Sequence, residues 1–168
     1  GGPQAGIIVG QRTFVEKLKK HPLARAVRID KIRLAALAVT LGHYLKGEAE
    51  RKIPVWRMIS ARLEDLELRA GNWAAALPGG GEVVPGETMV GGGSLPGGTL
   101  PTRLVAIGRR EGTKYPAALR LSRELRLQAL PVIGRVDNDT LLLDPRTVLP
   151  EDDGAVVAAL RQAAGALT

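Results

Sequence analysis

Apolar and polar positions along the chain follow two periods, and the change between them divides it. Residues 7–10 (IIVG) are a brief continuous apolar run, which predicts a short buried strand. Residues 11–20 (QRTFVEKLKK) place Phe14 and Leu18 four apart, the spacing of one helix face. Residues 21–28 (HPLARAVR) read as a loop, because Pro22 holds His21 away from the helical region. Asp30 is placed to cap the next helix. In that helix Leu34, Leu37, Ala38, Leu41 and Leu45 fall on one stripe, which fades at Gly47. Another helical stretch starts at Pro54, with Val55, Trp56, Ile59, Leu63 and Leu66 as inner positions. It is expected to break near Ser60 and to end near Leu77-Pro78-Gly79.

From about residue 79 the texture changes. The stretch PGGGEVVPGETMVGGGSLPGGTLP is rich in Gly and Pro and predicts short strands joined by turns. RLVAIG (103–108) reads as a strand, and 115–129 as a helix with Ala118, Leu121 and Leu125 inward. PVIGRV (131–136) and TLLLD (140–144) read as two strands linked by Asp137-Asn138-Asp139, a hairpin signal. A last helix is expected from Glu151–Asp153 onward, carrying Val156, Val157, Leu160 and Ala164.

The order from residue 61 is helix, strand, strand, helix, strand, strand, helix. Such an order predicts helices on one face of a small, largely antiparallel sheet, an α+β arrangement. The first 50 or so residues offer one strand and two helices, too little to bury a core alone. They read as the trailing edge of a larger α/β domain.

Composition narrows the chemistry. The 168 residues contain no Cys, which excludes disulfides, thiolate metal sites and Cys nucleophiles and suits a cytoplasmic setting. No apolar run approaches the length that spans a bilayer. Aromatic residues make up only 3%, so the core must be Leu, Val, Ile and Ala, and base-stacking platforms are disfavoured. The net charge of +7 favours anionic partners such as nucleic acid or phosphorylated ligands.

Three stretches are candidates for a site. GGPQAG at the start permits a tight turn and close backbone approach to a ligand, though it is equally a plain loop before a strand, and no Gly-Lys-Ser/Thr follows to make a phosphate loop. HPLARAVRIDK holds His21, Arg25, Arg28 and Lys31; in a helical turn Arg25 and Arg28 would point the same way and could grip a phosphate-like anion. The same stretch also reads as a solvated basic segment. VGGGSLPGG (90–98) is costly to order unless something packs on its backbone, and Ser94 has no His or Asp at nucleophile spacing. Glu64, Asp65 and Glu67 beside Arg62 and Arg69 read as a solvated helix face, and Glu151, Asp152 and Asp153 suit a helix N-terminus. His21 and His43 form no metal-ligand pattern, so no metal is expected.

The string GGPQAGIIVG, the following HPLARAVRIDK-IRLAALAVTL, and the later VGGGSLP and LLLDPRTVLP together resemble the bacterial selenocysteine synthases, the L-seryl-tRNA(Sec) selenium transferases. The similarity runs over nearly the whole chain. It implies a fold-type-I, aspartate aminotransferase-like enzyme that uses pyridoxal 5'-phosphate. It also implies that residues 1–52 are the end of the large domain and 53–168 the small α+β C-terminal domain. In the family the Schiff-base lysine sits just before the GGPQAG loop, so no catalytic residue is expected within this chain, and the chain by itself is expected to be inactive. Gly1, Gly2, Pro3 and Gln4 match the loop beside that lysine, and Arg25 and Arg28 match the family's anion-binding arginines. The implied reaction removes the α-proton and water from serine esterified to tRNA(Sec) and adds selenium from selenophosphate. Ring-shaped homo-oligomers are implied as well. Two other readings stay open from the residues: another fold-type-I enzyme acting on a free amino acid (a lyase or desulfurase), or a non-catalytic RNA-binding module.

Overall fold

The computed structural model describes residues 1–77, 80–91, 97–108 and 118–165. The Pro78-Gly79 break, Ser94 with most of its glycine-rich loop, and the expected start of a helix at 115 lie outside the described residues. The chain forms two compact units, Gly1–Arg57 and Met58–Thr168.

The first unit is helical. It contains α1 (Arg12–Lys20), α2 (Leu23–Ala26), α3 (Lys31–Leu45), α4 (Ala49–Lys52) and the start of α5 (Pro54–Ile59). Residues 7–10 are not a strand, contrary to the apolar run's prediction: Ile7, Ile8 and Val9 are 60%, 71% and 87% exposed. The physical reason is pairing: a strand needs a neighbour for its backbone groups, and the described residues of this unit supply none. The loop expected at 21–28 contains a helical turn, α2, because Pro22 has its fixed φ (−53°) at a helix start, where a missing N–H costs nothing.

α3 forms where the stripe predicted, with Asp30 Oδ1 accepting the Arg33 N–H at 2.9 Å as its cap. That bond is the main cause holding the Asp30 carboxyl below its ordinary value. The stripe itself is not covered: Leu34, Leu41 and Leu45 are exposed, and no α3 residue is buried. Gly47 (φ +65°) ends the helix in the left-handed conformation, and the chain returns so that His43 Nδ1 meets Glu48 Oε1 at 2.8 Å. This contact, more than nearby lysines, lowers the Glu48 carboxyl pKa. Trp56 Nε1 donates to the Tyr44 hydroxyl at 2.6 Å and ties α5 to α3.

The second unit follows the predicted order. α6 (Leu63–Ala75) leads into β1 (Glu82–Met89) and β2 (Thr99–Ile107); α7 (Ala118–Arg126), β3 (Arg135–Asp137), β4 (Thr140–Leu143) and α8 (Asp153–Gly165) come after, with two single-turn 3-10 helices between β4 and α8. The break near Ser60 is present, between α5 and α6. All pairings are antiparallel and the sheet order is β1-β2-β4-β3. Pro85 lies on edge strand β1, and Pro101 lies where β2 pairs only with β1, so neither breaks a central ladder. Val105 and Ile107 of β2 and Leu141 and Leu143 of β4 meet the buried sides of α6, α7 and α8. Of the inner positions predicted for α7 and α8, Ala118, Leu121, Leu125, Val156, Leu160 and Ala164 are buried, and Val157 is only partly buried against the same core.

The strand expected over 131–136 shrinks to three residues. Val132 N–H donates to Leu125 O at 3.0 Å, so the segment first pairs back onto the end of α7. Gly134 then passes so close to Leu141 and Leu143 that a Cβ would stand 2.6 and 2.7 Å from their methyls. The β3–β4 hairpin turns on Asn138 (φ +46°) and Asp139 (φ +57°), both left-handed, as a two-residue hairpin loop demands.

Candidate functional site

The opening glycines lie against the chain's own side chains. A Cβ on Gly1 would stand 2.5 Å from Ile53 Cγ2, and Gly2 (φ +130°) would meet Thr40 of α3 at 3.0 Å. Gly-Gly is therefore required by this close approach and by a backbone conformation that L side chains avoid. Pro3 is half-buried, and Gln4, Ala5 and Gly6 are exposed.

His21 is a turn residue: its Nδ1 accepts the Leu23 N–H at 3.2 Å, and its own N–H donates to Leu18 O. Arg25 lies on α2. That helix ends at Ala26, and Val27 (φ −96°, ψ 9°) carries the chain out of it, so helical spacing does not fix the direction of Arg28 relative to Arg25. Both arginines are exposed. Asp30, the nearest acid in sequence, pairs with Arg33 (3.3 Å), and among the described residues no carboxylate lies within ion-pair distance of Arg25 or Arg28. Two unpaired guanidinium groups in a segment bounded by a turn and a capped helix can take an anion without first losing an internal partner.

The positive charge lies in the first unit: residues 1–57 carry twelve Lys and Arg against four Asp and Glu, and residues 58–168 carry twelve against thirteen. An apolar cavity of about 560 Å³, lined by Ile8, Val15, Leu18, His21, Leu23 and Val27 among others, lies beside α1 and α2.

Several polar constellations escaped the sequence reading. Arg69 is not on a solvated face: it forks onto Asp153 (2.7 and 2.8 Å) and donates to Val148 O at 2.8 Å, and Trp73 Nε1 donates to the same carboxylate at 3.1 Å. Arg62 with Glu64 and Asp65 does form the exposed pairs expected. Asp144 accepts hydrogen bonds from the Thr88 and Thr102 hydroxyls and from the Arg146 N–H. Arg146 is buried and donates to four carbonyls, those of Met58, Ile59, Ala61 and Pro101. Burial pushes its guanidinium pKa down, and the Asp144 charge opposes that shift. A cavity of about 290 Å³ opens beside Asp144, Thr88 and Leu104. The only advance signal was Asp-Pro-Arg in LLLDPRTVLP, a turn-forming triplet. Among the described residues, no group of His, Asp and Glu could hold a metal, and no helix is long and apolar enough to cross a membrane.

The fit to pyridoxal phosphate follows from donor chemistry. Residues 1–6 offer exposed backbone and the Gln4 carboxamide, a polar wall beside which a planar ring could lie. They hold no side-chain amine for covalent attachment and no side-chain cation for its phosphate, and the first lysine of the chain is Lys17, on α1. These residues fit one wall of such a site and not its anchor.

Taken together, the chain is a mixed α/β protein: a basic helical unit bearing unpaired arginines and a helix-covered four-stranded antiparallel sheet. Its residues 1–149 match the family model for SelA, L-seryl-tRNA selenium transferase. An L-seryl-tRNA(Sec) selenium transferase of Geobacter sulfurreducens is 43% identical over 98% of this chain, and one of Nitratidesulfovibrio vulgaris is 45% identical over 98%. One from Clostridium perfringens is 40% identical over 96%. The chain belongs to the L-seryl-tRNA selenium transferase family. It spans about 36% of the length of these relatives.

Proposed function

We infer that this chain is the C-terminal part of a pyridoxal-phosphate-dependent transferase that converts seryl-tRNA(Sec) to selenocysteinyl-tRNA(Sec) with selenophosphate. The observation that carries this reading is the family match along residues 1–149, which includes both GGPQAG and HPLARAVR. Residues 1–52 are read as the end of a fold-type-I large domain and 53–168 as its small domain, in a cytoplasmic homo-oligomer. Pyridoxal phosphate, when bound, supplies an electron sink for loss of the serine α-proton. Within this chain Gly1, Gly2, Pro3 and Gln4 form the backbone wall beside that group. Arg25 and Arg28 take the selenium donor, a small polyanion suited to guanidinium forks. The chain alone is inactive in this reading, since it holds no lysine at the loop.

The test uses the longer protein that carries this chain. Arg25→Ala/Arg28→Ala is expected to lower selenium transfer from selenophosphate at least tenfold and to leave the cofactor's absorbance band unchanged. An unaltered transfer rate in the double variant would remove the anion role. Failure of the unsubstituted protein to convert seryl-tRNA(Sec) would remove the whole reading.

A further inference from the structure

Exposure in the first unit says little about function, because its apolar side chains are as exposed as its basic ones. The second unit is different: its core fixes which side of each helix faces outward. α7 buries Ala118, Leu121, Ser122 and Leu125, and it presents Arg120, Arg123 and Arg126 to solvent, with Leu119 and, just past its end, Leu127 exposed beside them. The arginines' spacing of three places them within about a third of the helix circumference and along roughly 9 Å of its length. Among the described residues, none of the three has a carboxylate within ion-pair distance, and Glu124 of the same helix does not pair with them.

The other arginines of this unit show that the row is selective. Arg62, Arg69 and Arg103 are paired with acids, and Arg146 is occupied by carbonyls. The remaining described arginines without an acid partner, Arg135 and Arg161, lie on β3 and α8, the two elements that pack on α7 with β4. The unit as a whole carries a slight excess of acids, and of its described arginines without a partner three lie on α7, one on β3 and one on α8.

We propose that the outer face of α7, through Arg120, Arg123 and Arg126, binds the phosphate backbone of a double-stranded RNA stem. Guanidinium groups a helical turn apart match successive phosphates. Trp73, the single aromatic among this unit's described residues, is buried, so among the described residues the face has no platform for unstacked bases. A duplex backbone therefore fits better than a single strand. The idea rests on the reading that a tRNA is the substrate carrier, and it assigns that carrier's stem a contact within this chain.

The experiment measures binding of a labelled RNA duplex of about 16 base pairs to the 168-residue chain across a salt series from about 50 mM upward. Arg120→Gln/Arg123→Gln/Arg126→Gln is expected to weaken binding at least tenfold and to reduce the slope of log affinity against log salt by about 2–3. The corresponding triple Lys variant should keep most of that slope, and Arg62→Gln/Arg103→Gln should bind as the parent does. Circular dichroism melting should be unchanged, since the three side chains are outside the core. Unchanged affinity and slope in the triple Gln variant would overturn the proposal. So would absence of duplex binding at the lowest salt, or competition by poly-glutamate as strong as by RNA, which would point to an acidic protein. The assay contains no serine, cofactor or selenium donor, so its result is separable from that of the transfer test.

Discussion

Arg146 illustrates what a single residue contributes here. Its buried guanidinium gathers the carbonyls of Met58, Ile59 and Ala61, where one helix ends, and that of Pro101 on β2. Arg146→Met should destabilise the chain by about 3 kcal/mol or more, because several acceptors lose a charged donor at once. Arg146→Lys should recover little, since one ammonium cannot match a planar fork reaching both directions. Urea titration followed by Trp73 fluorescence measures both. In the sequence Arg146 was one of many arginines; nothing local marks which of them will be enclosed. Arg25 and Arg28 were singled out by spacing and resemblance, and the fold leaves both exposed and, among the described residues, without acid partners. Gly2 is the opposite case, where a sequence signal of tight backbone approach has a visible cause in Thr40.

At the scale of elements, period and caps were legible. The α3 cap at Asp30, the break near Ser60, the β3–β4 hairpin and the inward faces of α7 and α8 all follow from local patterning. Length of strand was not legible, because 131–134 is diverted by a bond to the end of α7 and by crowding at Gly134. The tie between α6 and α8 was also hidden, joining residues 84 positions apart through the Arg69–Asp153 fork. Both side chains are largely shielded, at 12% and 28% exposure, so the pair should count for more than a surface ion pair. A double-mutant cycle of Arg69→Met and Asp153→Asn is expected to give a coupling of about 1–3 kcal/mol, read from denaturant midpoints. Arg62→Met with Asp65→Asn, the exposed pair on the same helix, should couple by less than about 0.5 kcal/mol.

The whole molecule divides its stability unevenly. Of the buried apolar side chains among the described residues, only Ile53 belongs to the first unit, and all the others lie in the second. Burial of apolar area is the main source of folding free energy, so cooperative stability should reside in residues 58–168. Hydrogen exchange on this chain is expected to show slow amides in β2, β4, α7 and α8 and fast exchange throughout α1–α3. Equal protection in the two units would contradict this. The charge distribution belongs to the same scale, since the basic excess lies wholly in the unit with the thin core.

The sequence by itself determined the longer helices with the Asp30 cap, the antiparallel order of the second unit, the family, and the basic segment that holds Arg25 and Arg28. These depend on neighbours within a few residues or on an ordered set of motifs, and both are written locally. Only the tertiary structure decided that residues 7–10 form no strand, that the α3 stripe stays uncovered, that Arg69 and Arg146 are interior ties, and that Arg120, Arg123 and Arg126 share the exposed side of α7. Each of these depends on what lies opposite a residue in space, and packing between distant segments sets that partner.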